Sequence, residues 1–239
     1  MFTLGVDFGT NSVRALVVRS SDGAEYGSRV VDYPSGAQGV LLDPMDGHLA
    51  RQHPGDYVFG LEESIRGALL EASGKPDFSP TKVAGIGMDS TGSSPLPVDA
   101  NNRPLAMSAA WRNDLSAQCW LWKDHTSWRE AGKITELSGK LRPQFISKCG
   151  GVYSSEWFWA KIWHCLNVAP HTFDAAYSWV ELADWAPSLL VILTSSGLSW
   201  PRSIPAMDWP WTTRRMRSPA RRSGRTAEDL EPSTTVSIE

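Results

Sequence analysis

The sequence predicts a mixed α/β domain. Three observations carry that: β-branched runs crowd the first 32 residues, an amphipathic helical stretch is centred near residue 64, and an apolar strand then leads into several helices. Phe2–Val6 and Val13–Arg19 are apolar runs on either side of Asp7–Ser12. Ser21-Asp22-Gly23 carries the Asp-Gly signal of a hairpin and leads into a third run, Glu25–Asp32. Three antiparallel strands therefore open the protein. Residues 33–55 scatter proline and glycine among polar residues and read as a long excursion. From Asp56 to Ala72, the apolar residues Val58, Leu61, Ile65, Leu69 and Ala72 recur with the 3.6-residue helical period, and Gly74 and Pro76 stop it. Val83–Met88 reads as a buried strand followed by the polar loop Asp89–Ser94. Ser127 and Glu130 have the spacing of a capping box for a helix to about Leu137, closed by Gly139. Ser155–Leu166 and Phe173–Leu193 are expected as two further helices.

Composition limits the function classes. The 239 residues are 41% hydrophobic and 21% charged, enough apolar material for a core without disulfide or metal staples. A formal net charge of -3 points to no nucleic-acid partner and no membrane surface. No apolar run approaches the roughly 20 residues of a bilayer span. Asp7 and Arg14 interrupt the opening stretch where a leader peptide would lie. The cysteines Cys119, Cys149 and Cys165 are odd in number and form no C-x-x-C pair. That argues against a disulfide framework or a zinc site and for a reducing, cytoplasmic setting.

The composition breaks near residue 194, dividing the chain into residues 1–193 and 194–239. The second part holds 14 Ser or Thr, 5 Pro and 7 Arg, and only 5 residues that are Leu, Ile, Val or Phe. So little apolar material does not make a packed core. All 7 arginines lie within Arg202–Arg225, near Trp200, Trp209 and Trp211. The pattern suits a nucleic-acid patch or, as expected here, a disordered and solvated extension. A shifted reading frame or a retained intron also yields so abrupt a change.

The opening hairpin is the most informative segment. A strand ends in Asp7, a turn supplies Gly9, Thr10, Asn11 and Ser12, and Arg14 lies on the next strand. Such a turn gathers backbone N–H groups and hydroxyls into one concavity suited to phosphate oxygens, and Arg14 adds a charge-assisted donor. Asp7 is placed to hold Mg²⁺ through water. The same string also serves as an ordinary hairpin turn. Competing phosphate signatures fail: Gly74-Lys75 and Gly139-Lys140 lack the rest of a Walker loop, and Gly85 and Gly87 lack the third glycine of a dinucleotide fingerprint. No G-x-S-x-G elbow, H-E-x-x-H pair or protein-kinase catalytic loop is present.

Three more polar clusters interrupt apolar surroundings. Asp89–Ser94 offers a carboxylate and four hydroxyls, chemistry suited to a polyol. Trp122–Thr126 sets Lys123 and Asp124 beside an indole, and Ser154–Trp157 places Glu156 five residues before Lys161. Read structurally, these are loop caps, a solvated ion pair and a helix start. All 12 tryptophans follow residue 110, where indoles either stack on sugar faces or pack helices.

Taken in order, four strings resemble the FGGY family of sugar kinases, and within it the ribulokinase branch. They are Met1–Ala15, Gly85–Pro95, Leu121–Thr126 and Gly150–Lys161, with Trp179–Trp185 in support. The resemblance covers residues 1 to about 193. It implies an actin-like (ribonuclease H-like) ATPase fold, here incomplete, and transfer of the γ-phosphoryl of ATP to the 5-hydroxyl of L-ribulose in arabinose catabolism. By position it implies that Gly9, Thr10, Asn11, Ser12 and Arg14 face the ATP phosphates and Asp7 the hydrated Mg²⁺. Asp89, Thr91, Gly92 and Ser93 would line the sugar site, with Asp124, Glu156 and Lys161 as neighbours. The expected partner is a ketopentose, with no nucleic acid and no membrane.

Departures matter as much. Family members are about twice as long, and their base aspartate, second phosphate loop and adenosine pocket lie beyond the resembling part. Residues 139–149 also depart from the pattern. No catalytic base is nominated in this chain, Asp208 included, so the chain by itself is expected to be inactive. Three alternatives remain: another FGGY pentulose or polyol kinase, a non-catalytic sugar-binding module, and an interaction fragment that uses the Arg/Trp tail.

Overall fold

A computed structural model describes residues 1–195, with side chains through Leu190. The expectations for the tail fall outside the described residues, apart from its first two positions. Strands β1 (Phe2–Phe8), β2 (Ser12–Arg19) and β3 (Glu25–Asp32) form the expected antiparallel meander. The excursion at 33–55 contains a hairpin, β4 (Leu41–Asp43) and β5 (Asp46–Gln52), where the sequence reads as irregular. Helix α1 (Pro54–Ala72) starts two residues earlier than its periodicity suggests. His53 caps it, its Nδ1 accepting from the Gly55 N–H at 3.0 Å.

Strand β6 (Val83–Ser90) runs parallel to β1 and completes a sheet of order β3-β2-β1-β6. The sequence reads it as buried. Instead it is the edge strand, and Ile86 keeps 45% of its surface. Among the described residues nothing pairs with its outer side.

The chain continues through β7 (Pro95–Val98), β8 (Cys119–Trp120), α2 (Trp128–Leu141), α3 (Pro143–Ile146), α4 (Phe158–Val168), α5 (Pro170–Ala175), β9 (Ser178–Glu181) and α6 (Leu182–Ser195). The single helix expected at 173–193 is thus two helices around a strand. Ser178–Glu181 pairs antiparallel with β7, and that ladder overrides the helical period. The capping box at α2 is also absent. Ser127 Oγ donates to the Ser155 carbonyl at 2.7 Å, while Glu130 takes Asn167 Nδ2 at 2.8 Å and His164 Nδ1 at 3.0 Å. The helix passes Gly139 and stops before Pro143, whose ring disfavours helical backbone in the preceding residue. α4 begins at Phe158 rather than Ser155, because Ser154 Oγ accepts the Glu156 N–H in a turn at 3.1 Å.

Alternation along β1 sets the core. Phe2, Leu4, Val6 and Phe8 are buried, while Thr3, Gly5 and Asp7 face out. The buried set packs with Val13, Ala15, Val17, Tyr57, Leu61 and Trp185. α1 lies so close over β3 that a Cβ on Gly27 would meet the Ala68 carbonyl oxygen at 2.2 Å and the Ala72 nitrogen at 2.7 Å. Gly27→Ala is therefore expected to push α1 off the sheet and to cost about 1–3 kcal/mol, read as a lower urea midpoint with an unchanged m-value. Among the described residues no helix is long and apolar enough to cross a membrane, and no group of three or more His, Cys, Asp or Glu could hold a metal ion.

Candidate functional site

The turn between β1 and β2 is held from several sides. The Gly9 N–H donates to the Ser12 carbonyl at 2.9 Å and closes it. The Thr10 carbonyl accepts from Gln52 Nε2 at 2.6 Å, and the Gln52 amide oxygen accepts from the buried Tyr57 hydroxyl at 2.5 Å. Asn11 spends its amide on the Gln38 carbonyl at 2.6 Å, and its own carbonyl accepts the Tyr33 N–H at 2.9 Å. The register pairs Asp7 with Arg14 on β2 and with Asp89 on β6. These three exposed charged residues therefore stand in a row across three strands beside the turn.

The loop after β6 is joined to that turn, because the Thr91 N–H donates to the Phe8 carbonyl at 3.2 Å. Thr91, Gly92 and Ser93 line a cavity of about 370 Å³ together with Trp122, Glu156 and Trp157. Ser93 sits at φ 55°, a left-handed conformation that a non-glycine residue holds only when its surroundings fix it. Those surroundings are visible. The Ser94 N–H donates to Glu181 Oε2 at 2.8 Å, and Cys119 Sγ donates to the Ser94 carbonyl at 3.3 Å. Thr91 Oγ1 and Ser94 Oγ bond at 3.0 Å. Lys161 Nζ donates to the carbonyls of Ser93 at 2.6 Å, Leu121 at 2.8 Å and Trp120 at 3.4 Å.

Burial sets the electrostatics. It pushes the Lys161 ammonium down to about 7 and the Cys119 thiol up to about 12, and it raises Glu181 above the usual carboxylate range. At the cavity wall His125 Nε2 lies 3.6 Å from Glu156 Oε1, and its Nδ1 bonds Ser155 Oγ at 3.0 Å.

The structure brings together Thr91, Gly92, Ser93 and Glu156 around the cavity. Asp89 stands one step away beside Asp7, on the open face of the sheet. Asp124 and Lys161 do not line the cavity. Asp124 is fully buried and ion-paired with Arg51, and it accepts the Ala50 N–H at 2.7 Å and the Thr126 hydroxyl at 2.6 Å. The Arg51 guanidinium stacks 3.5 Å from the Trp120 ring centroid. Asp124 and Lys161 thus support the walls from beneath: Asp124 fixes the chain that carries Trp122, and Lys161 fixes the loop after β6.

Three residues were missed. Trp122 and Trp157 belong to the resembling strings, but nothing in an indole's sequence position separates a cavity wall from a packed core. Arg51, next to Gln52 in an unremarkable stretch, carried no signal, since its partner lies 73 residues away.

No family model matches the chain. Curated relatives do. It is 41% identical over 189 residues to a ribulokinase of Vibrio parahaemolyticus and 36% identical over 188 residues to one of Geobacillus thermodenitrificans. Those matches cover 78% and 77% of this chain but 32% of each relative. The chain therefore spans about a third of the length of the relatives it matches. Among solved structures, the xylulose kinase of Rhodospirillum rubrum superposes with a TM-score of 0.56 at 17% identity, covering 79% of this chain and 34% of that one. Plasmodium falciparum glycerol kinase with ADP gives 0.58 at 15% identity, covering 77% and 33%. At such identities the likeness is one of fold, the actin-like fold of sugar kinases. By sequence and by fold, the matching part of this chain belongs to the FGGY family of carbohydrate kinases.

Proposed function

We propose that this chain is the sugar-recognising, N-terminal part of a cytoplasmic ribulokinase-type enzyme that takes a ketopentose, L-ribulose, with ATP and Mg²⁺. The observation that carries this reading is the junction of two features. A hydroxyl- and indole-lined cavity is fastened directly to a turn of the kind that binds phosphate, by Thr91 to Phe8 and Trp122 to Thr10. Thr91, Ser93 and Glu156 would bond a polyol's hydroxyls, and Trp122 and Trp157 would cover its C–H faces. On the nucleotide side, Thr10 and Ser12 would meet the phosphates with Arg14 neutralising charge, while Gly9, whose N–H closes the turn on the Ser12 carbonyl, and Asn11, bonded to Gln38, hold the turn's shape. Asp7 and Asp89, adjacent and exposed, form a donor set that fits a hydrated divalent cation. Bound ATP would supply the phosphoryl group, and Mg²⁺ would spread its charge. This part of the molecule would contribute position and electrostatics, which dominate phosphoryl transfer.

With two thirds of the relatives' length outside it, the chain alone is expected to bind sugar without turnover. We take 1–193 as the kinase part and 194–239 as unrelated to it. The test is a ¹⁵N-labelled full chain titrated with L-ribulose. Amide shifts concentrated at Thr91–Ser93 and Glu156–Trp157, with Glu156→Gln weakening the binding about tenfold or more, support the reading. Shifts elsewhere, or none, contradict it. Tighter binding of D-xylulose or glycerol would reassign the sugar.

A further inference from the structure

We infer that Trp122 is a positioning residue that sets the Thr10 hydroxyl as a donor toward the turn's anion site and links it to occupancy of the sugar cavity. The inference rests on the functional reading above. The indole lines the cavity, and its Nε1–H donates to Thr10 Oγ1 at 3.1 Å across 112 residues of sequence. An indole nitrogen only donates, whereas a hydroxyl has one donor and two acceptor positions. The contact therefore consumes an acceptor position on Thr10 and leaves its single O–H free to point away from the ring. The Thr10 backbone cannot drift, since its carbonyl is held by Gln52.

The indole is differently placed. Its neighbour Leu121 is fully buried with its carbonyl on Lys161, yet Trp122 keeps 39% of its surface. It is a partly exposed ring on a fixed backbone. A polyol packed against that ring steadies the N–H, and the steadied N–H orients the Thr10 O–H as a donor to an anionic oxygen. Each ligand thus raises the affinity for the other, because such coupling is reciprocal.

The test uses the full chain, calorimetry, and two probes, L-ribulose and inorganic tripolyphosphate. In the wild type, saturating L-ribulose is expected to tighten tripolyphosphate binding about fivefold or more. In Trp122→Phe, which keeps an aromatic wall but has no N–H, that ratio falls to about one, whatever happens to either affinity alone. Thr10→Val, which keeps the shape and loses the hydroxyl, gives the same loss. It also moves the Trp122 indole N–H resonance, identified by its absence in Trp122→Phe. Coupling that survives in both variants, or that is missing from a wild type binding both probes, overturns the inference alone. If either probe fails to bind the wild type, the functional reading falls and the inference with it.

Discussion

Asp124→Asn is expected to destabilise the folded chain by about 3–5 kcal/mol, the largest stability effect of any single substitution considered for it. Asp124 is fully buried and Arg51 is 2% exposed, so removing the carboxylate leaves a guanidinium with no countercharge and no water. The Ala50 N–H and the Thr126 hydroxyl would also face a weaker acceptor. Urea unfolding measures the loss directly. The double variant Arg51→Met, Asp124→Leu is expected to cost much less than the sum of its parts, because it removes both charges together. Additive single effects would contradict the pairing. Lys140→Ala breaks the exposed Glu136–Lys140 contact at 2.6 Å and is expected to leave stability unchanged, since water screens both partners.

Lys161→Met is expected to weaken L-ribulose binding about tenfold to hundredfold, although Lys161 does not line the cavity. The ammonium's three protons match three carbonyls, and one of them belongs to Ser93, the residue held at positive φ. Without that tether the loop after β6 has no reason to keep its shape. The same variant carries a pH signature. Burial lowers Lys161 to about 7 in the folded chain from 10.5, with Arg51 acting in the same direction and Cys119, Glu181 and Glu156 against it. Between those two values the unfolded chain binds a proton that the folded chain does not. Stability therefore rises with pH across that window, by at most about 1.4 kcal/mol per pH unit from this group. Below pH 7 both states are protonated and the contribution is flat. Removing the lysine removes the rise between about pH 7 and 9, below the range where Arg51, lowered by burial to about 9, adds a rise of the same sign. A wild-type slope retained in Lys161→Met would show that another group carries it.

How much was legible beforehand follows from the physics of each element. The β1–β3 meander and α1 were readable because their signals are local: alternation, an Asp-Gly turn and a 3.6-residue period all act within a few residues. The strand at Ser178–Glu181 was not, because its ladder partner is Pro95–Val98 and the local pattern of Trp179–Leu193 suits a helix equally well. Strand β6 reads as buried because Ile86 and Met88 look like core residues, but its place at the sheet edge depends on strand order. At the site, Thr91, Gly92, Ser93 and Glu156 were legible as polar residues interrupting apolar runs. The supporting roles of Asp124 and Lys161 were not, since a charged side chain reads the same whether it touches a ligand or braces a wall. Only the partners distinguish them: Arg51 for one, and three carbonyls for the other.

If residues 1–193 hold a working sugar half-site, as we propose, the chain binds L-ribulose by itself. The most direct measurement is calorimetric titration of the full chain with L-ribulose in the absence of nucleotide, repeated on Lys161→Met. Saturable binding at one site per chain is expected in the wild type, with a loss of about tenfold or more in the variant. No saturable heat from a wild type that unfolds cooperatively, or equal affinity in both proteins, would contradict it.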